Sequence, residues 1–175
     1  MIKKLQRLIF ELRVLLAGEY TRAKVYEKYL GVKFGKNVRM TGVPFFSSEP
    51  YLISIGDNVT ITQHVTFHTH DGGVGLLRQK HPGIELIAPI TIGNNVFIGS
   101  HTIILPGITV GNNVIIGSSS VITKNIPDNV VVAGVPARII KTMDEYEEKS
   151  LANCDYTNKL SPEEKKNFYL KKFRS

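Results

Sequence analysis

Between Ile90 and Pro127 an aliphatic residue returns at every sixth position: Ile92, Ile98, Ile104, Val110, Ile116 and Ile122. In four of these units the next residue is glycine, at Gly93, Gly99, Gly111 and Gly117. Neither the 3.6-residue period of a helix nor the alternation of an ordinary strand sustains that spacing; a fixed short period is the mark of a solenoid. A chain that makes a short strand and then a corner every six residues fits it. Three such sides close a triangular coil, and parallel coils stacked ~4.8 Å apart would set Ile92 on Val110, Ile98 on Ile116 and Ile104 on Ile122. The aliphatic column then fills the interior. Glycine and asparagine are expected at the corners, where positive φ is tolerated, and glycine also admits a neighbouring backbone or a ligand.

The same period runs upstream through Ile55, Ile61 and Phe67, with Val32 and Val38 as weak first positions and a disturbance over Pro44–Tyr51. After Phe67 the next unit is due at position 73 but begins at Ile92, so nineteen residues are inserted, and residues 68–91 leave the coil. Loops of this length are usually functional or disordered. Val74, Leu76, Leu77 and Ile84 within it would need covering, most naturally by a second protomer. Beyond Ile122 a last coil is expected, with Pro127 and Pro136 ending regular pairing.

Both ends read as helical. Over Met1–Ala17 the residues Leu5, Leu8, Ile9, Leu12, Leu15 and Leu16 fall on one helical face, and a second helix from Tyr20 to Leu30 stops at Gly31. Helices are also expected over Met143–Leu151 and Ser161–Phe173, the latter opened by a serine cap, a proline and two acids. The organisation is therefore an arm over 1–31, a coil over 32–141 and a helical tail over 142–175.

Charge separates these parts. Of the net +7, residues 1–39 carry +7, residues 40–137 carry −2 and residues 138–175 carry +2. The coil is mildly acidic and nucleic-acid motifs are absent, so a nucleic-acid partner is not expected. The basic arm has two open roles: lying on an anionic membrane through residues 1–17, or packing on the end of the coil or a neighbouring subunit, which is the plainer expectation. No apolar run reaches the length of a spanning helix. The single cysteine, Cys154, suits a reducing compartment, and a cytoplasmic location is expected, peripheral to the inner face of the cytoplasmic membrane if the arm binds lipid.

The repeats, the His70-Asp71-Gly72-Gly73 segment at the root of the insertion and the Gly134-x-Pro136-Ala137-Arg138 segment resemble the hexapeptide-repeat acyltransferase superfamily, in particular surface-polysaccharide O-acetyltransferases and the galactoside and maltose acetyltransferases. The resemblance implies an all-β solenoid, a left-handed parallel β-helix, assembled as a homotrimer with each site between two subunits. It implies acetyl-coenzyme A as donor, no metal, and direct transfer to a sugar hydroxyl of a capsular, lipopolysaccharide or exopolysaccharide precursor.

By the same resemblance His70 is the general base, with His68 as alternative, and Asp71 or a carboxylate from elsewhere fixes its tautomer; a histidine titrates in the range such a step needs. Ser100, Ser118, Thr123, Lys124, Arg138 and Lys141 match coenzyme-binding positions, the cations suiting its phosphates. A backbone N–H near Gly99 or Ser100 is the expected donor to the thioester oxygen. Phe97 stands where those relatives carry tryptophan, and Glu49 and Tyr51 are candidate acceptor contacts. Cys154 lies outside the repeats, which leaves no placed nucleophile for an acyl-cysteine route. Competing readings are an antibiotic or amino-sugar N-acetyltransferase, a γ-class carbonic anhydrase-like metal enzyme using His64, His70 and a further histidine, and a non-catalytic trimeric scaffold.

Overall fold

A computed structural model describes residues 2–174, the side chains of residues 2–4 excepted. The chain forms two compact units, one ending at Met143 and one beginning at Asp144. In the first, short parallel strands stack into three sheets, one per side of a coil. The first side holds β1 (Lys33–Phe34), β4 (Ile53–Ile55), β7 (Ile90–Ile92) and β10 (Thr109–Val110). The second holds β2 (Arg39–Met40), β5 (Thr60–Ile61), β8 (Val96–Ile98) and β11 (Val114–Ile116), and the third β3 (Phe45–Phe46), β6 (Thr66–Phe67), β9 (Ile103–Ile104) and β12 (Val121–Ile122).

Ile92 pairs with Val110, Ile98 with Ile116 and Ile104 with Ile122, each in parallel register, as the six-residue period requires. The inward columns are dry: Ile61, Phe67, Ile98, Ile104, Ile116 and Ile122 are fully buried. Ile53 pairs with Ile90, thirty-seven residues on, which is one coil plus the nineteen-residue excursion.

In the first coil the register differs from the sequence reading. Val32 and Val38 are buried, but the residues paired with Ile55 and Ile61 are Phe34 and Met40. The Pro44–Tyr51 irregularity lengthens this coil, so the offset across it is twenty-one residues, as in the pairing of Phe46 with Phe67. Its column is aromatic, with Phe46 stacked on Phe67 at 5.0 Å between ring centroids. The last coil also departs from expectation. After β13 (Val130–Gly134), which continues the second sheet in parallel, the chain reverses through Val135–Pro136 into β14 (Ala137–Thr142), which pairs antiparallel and closes that sheet edge.

The corners separate two jobs that the sequence pattern assigned together. The positive φ values fall on Asn37, Asn58, Asn95, Asn113 and Asn129, whose side-chain amides hydrogen-bond from one coil to the next at 2.9–3.1 Å. A second corner uses His64, His101 and Ser119 in the same conformation. The repeat glycines are not among the positive-φ residues; they are needed for close approach. A Cβ on Gly99 would lie 2.5 Å from the backbone nitrogen of Ser118, and one on Gly93 2.6 Å from the carbonyl oxygen of Gly111.

The arm packs onto the first coil. Helix α1 spans Ile2–Leu16 and α2 spans Arg22–Leu30, ended by Gly31 at φ 75°. The Arg22 guanidinium donates to the carbonyls of Val14 and Ala17 at the end of α1 and of Met40 and Gly42 in the coil, fixing all three parts together. The face of α1 that packs is not the one the sequence pattern selected. Val14 is buried and Phe10 meets the Tyr26 ring edge-on at 5.6 Å, whereas Leu5, Leu8, Ile9, Leu12, Leu15 and Leu16 are exposed. Arm and coil thus form one unit. The second unit holds most of α3 (Met143–Asn153) and all of α4 (Pro162–Phe173), the latter opened by a capping box between Ser161 and Glu164.

Candidate active site

The excursion begins as the chain leaves β6. Thr69–Asp71 and Leu86–Ala88 pair as its two stems, with His70 bridged to Ile87 and the Asp71 N–H donating to the Leu86 carbonyl at 3.0 Å. His70 is therefore held at the root of the loop by backbone. Its Nδ1 lies 3.3 Å from Glu49 Oε2 and 3.5 Å from Ser48 Oγ. Glu49 precedes the 3₁₀ turn Pro50–Leu52, within the irregularity of the first coil, and that irregularity carries it to the histidine one coil above.

A buried hydroxyl chain fixes Glu49. Thr69 Oγ1 donates to Glu49 Oε2 at 2.8 Å, Ser47 Oγ lies 2.8 Å from Thr69 Oγ1, and Ser47 Oγ accepts from the Thr69 N–H at 2.9 Å. Thr69 is fully buried and Ser47 nearly so. With both hydroxyl protons directed along this chain, the carboxylate's remaining capacity faces Nδ1. That favours the tautomer with its proton on Nδ1 and leaves Nε2 as a free base. Asp71 takes a different job: its Oδ1 accepts from the Gly73 N–H at 2.8 Å and caps the 3₁₀ turn Gly72–Leu77. The carboxylate beside His70 is Glu49, read from sequence only as an acceptor contact.

The pocket over this pair has a volume of about 310 Å³ and adds Arg78, Glu85, Leu86 and Ile87 to its lining. Arg78 donates to the Ile84 carbonyl at 3.2 Å and stands 3.5 Å from Glu85. A larger cleft of about 670 Å³ between the arm and the first coil, lined by Phe10, Tyr26, Tyr29 and Phe45 among others, shares no residue with it and holds no histidine. The smaller pocket, which holds the His70–Glu49 pair, is therefore the candidate site.

The other site candidates divide between two corners. Thr123 and Lys124 follow β12 and lie exposed above the root of the excursion, two coils from His70, which is about 10 Å along the axis. Ser100 and Ser118 stack at the neighbouring corner, with the Ser119 N–H donating to the Ser100 carbonyl, and Ser100 Oγ donates to Thr62 Oγ1 at 3.1 Å. Arg138 joins them through its pairing with Ala133 across the terminal hairpin. Lys141 lies further along β14, paired with Val131. Phe97 is 44% exposed on β8 and Tyr51 is exposed on its 3₁₀ turn, neither within the His70 pocket.

His68 directly follows β6, with its ring centroid 6.4 Å from that of Phe45, and His64 and His101 stack on each other at 4.8 Å. Among the described residues no three histidine, cysteine or acidic side chains converge as a metal site would need.

Residues 89–124 match the family described as bacterial transferase hexapeptide (six repeats). Protein CapG of Staphylococcus aureus is 57% identical over 147 residues, covering 83% of this chain and 86% of CapG. Galactoside O-acetyltransferase of Escherichia coli (strain K12) is 38% identical over 117 residues, and there the match spans 67% of this chain and only 55% of the relative. Among solved structures, a galactoside acetyltransferase in complex with coenzyme A superposes with a TM-score of 0.59 at 31% identity, covering 83% of this chain and 84% of that one. With a relative this similar over most of its length, and with the eighteen-residue register of the regular coils, the chain is an acyltransferase of the hexapeptide-repeat family and its coil is that family's left-handed parallel β-helix.

Proposed function

We propose that the protein is an acetyl-coenzyme A-dependent O-acetyltransferase acting on a sugar hydroxyl of a surface-polysaccharide precursor, with His70 as general base. The observation that carries this reading is the His70–Glu49 pair at the root of the excursion, its carboxylate immobilised by Thr69 and Ser47 and its pocket open to an acceptor. His70 Nε2 takes the hydroxyl proton as the acceptor oxygen attacks the thioester carbonyl. The Glu49 carboxylate stabilises the imidazolium formed in that step, and the same imidazolium returns its proton to the leaving thiolate. Acetyl-coenzyme A supplies the activated acyl group, and the products are the acetyl ester and the free thiol.

The donor assignment is supported by the coenzyme A complex of the galactoside acetyltransferase and by exposed cations in the last coils, Lys124 after β12 and Arg138 on β14, with Lys141 further along β14. The polysaccharide assignment is supported by the likeness to CapG and to a galactoside O-acetyltransferase. Pocket chemistry agrees: Glu49, Asp71 and Glu85 face one arginine, Arg78, which disfavours an anionic acceptor group and suits a ring whose hydroxyls donate.

Within one chain the third sheet separates the His70 corner from the corner of Ser100, Ser118 and Arg138. A site using both edges needs a second copy, and a homotrimer with sites between subunits meets that need.

The test is calorimetric titration of coenzyme A and acetyl-coenzyme A into the wild type and into Lys124→Ala/Arg138→Ala, followed by an acceptor screen with His70→Ala as the inactive control. Saturable binding lost in the double variant is expected; absence of binding by the wild type would overturn the reading. Mixed oligomers of His70→Ala and Arg138→Ala chains should regain activity if the sites are shared between copies.

A further inference from the structure

We infer that α1 is a membrane-docking helix, its leucine face lying on an anionic lipid surface. At ~100° per residue the exposed residues Leu5, Leu8, Ile9, Leu12, Leu15 and Leu16 span about 120° of the helix, centred roughly opposite the direction of Phe10 and Val14. The helix thus has a narrow apolar side spent on the protein and a wide one directed away from it. All six residues are between 37% and 85% exposed, whereas Val14 is 3% exposed. Contiguous apolar surface of this kind, rimmed by charge, marks an interaction site rather than ordinary solvent-facing surface.

The helix is also held in place. Arg22 ties its last carbonyls to α2 and the first coil, and Phe10 packs against Tyr26, so the leucine face is a fixed feature of the compact unit. Exposure here is not the fraying of a loose terminus.

Charge selects the occupant. Residues 1–39 hold ten Lys or Arg against three Glu, while the coil beyond them is net negative. Two of those glutamates are already paired, Glu11 with Arg7 and Glu19 with Arg39. Lys24 and Lys28 are exposed on the adjoining α2. A leucine face on a strongly basic arm matches the two components of peripheral binding, apolar insertion at the headgroup boundary and attraction to anionic lipid. A nucleic acid would use the charge and leave the leucines wet. No helix among the described residues is long and apolar enough to span a bilayer, so docking is parallel to the surface.

The test is co-sedimentation of the full chain with vesicles of phosphatidylcholine alone and of phosphatidylcholine with phosphatidylglycerol, at low and physiological salt. Wild type should pellet with the anionic vesicles only, and less as salt rises. Leu8→Gln/Leu12→Gln should lower the partition constant by about a hundredfold, with the unfolding midpoint and light-scattering mass unchanged. Leu76→Gln/Leu77→Gln, which alters leucines of the excursion that are together at least as exposed as Leu8 and Leu12, should pellet as wild type does. Failure to bind anionic vesicles at low salt, or equal binding to neutral ones, overturns the inference. So does a lower oligomer mass for Leu8→Gln/Leu12→Gln, which would make the leucine face a contact between copies of the chain.

Discussion

Replacing Glu49 with glutamine keeps the shape of the side chain and its contact with Thr69 while removing the charge that faces His70. On the proposed mechanism that charge faces the imidazolium formed as His70 accepts the acceptor's proton. The separation is 3.3 Å, with the imidazole 38% and the carboxylate 17% exposed. At an effective dielectric near 20, a unit pair at that distance is worth about 5 kcal/mol. Partial exposure of the ring brings in water and reduces this to about 2–3 kcal/mol, or roughly a hundredfold in rate. Steady-state kinetics with a hydroxyl acceptor should therefore show kcat falling about a hundredfold in Glu49→Gln, with KM for both substrates near the wild-type value and partial recovery in Glu49→Asp. A kcat unchanged from wild type would refute the reasoning. A loss confined to the acceptor KM would refute it too, and would restore Glu49 as an acceptor contact.

Three further outcomes follow from the packing. Gly99→Ala forces a methyl group against the backbone of Ile116–Ser118 and should cost about 3 kcal/mol or more in denaturant unfolding. At Asn95, φ 55° and the amide ladder separate two effects: Asn95→Gly loses only hydrogen bonds, while Asn95→Ala adds left-handed strain, so alanine should be the less stable by about 1 kcal/mol in the same assay. The Tyr26 phenol, buried and donating to the Pro44 carbonyl at 3.2 Å, has its pKa pushed up by burial to about 12 from an ordinary 10.0. Because the folded state holds this proton more tightly, its contribution is complete below about pH 10 and is lost as pH rises toward 12, by about 2–3 kcal/mol; Tyr26→Phe should flatten that alkaline limb in pH-dependent unfolding.

The regular coils were legible in the sequence because a solenoid is nearly one-dimensional. Where the period is undisturbed, each residue's partner lies a fixed eighteen positions away, as for Ile98 and Ile116, so composition and spacing alone name the contact. The excursion was legible for the same reason, as a break in the count, and with it the placement of His70 at its root. What the period could not supply was anything that depends on its interruptions. The Pro44–Tyr51 irregularity shifts the first coil so that Phe34 and Met40, not Val32 and Val38, meet Ile55 and Ile61, and it brings Glu49 to His70.

Hydrophobic periodicity likewise located the leucine face of α1 but could not say which side would be buried. An apolar pair four residues apart, Phe10 and Val14, suffices to seat a helix when the opposing surface fits it. The allocation of glycine to close backbone contact and of asparagine to positive φ needed the stacked coils themselves, since both residue types suit a corner and only the distance to the next turn distinguishes them. Sequence thus determined the repeating architecture, whose contacts recur at constant offset; the tertiary structure alone decided the pairings across irregular offsets, because those depend on where the chain is carried in space.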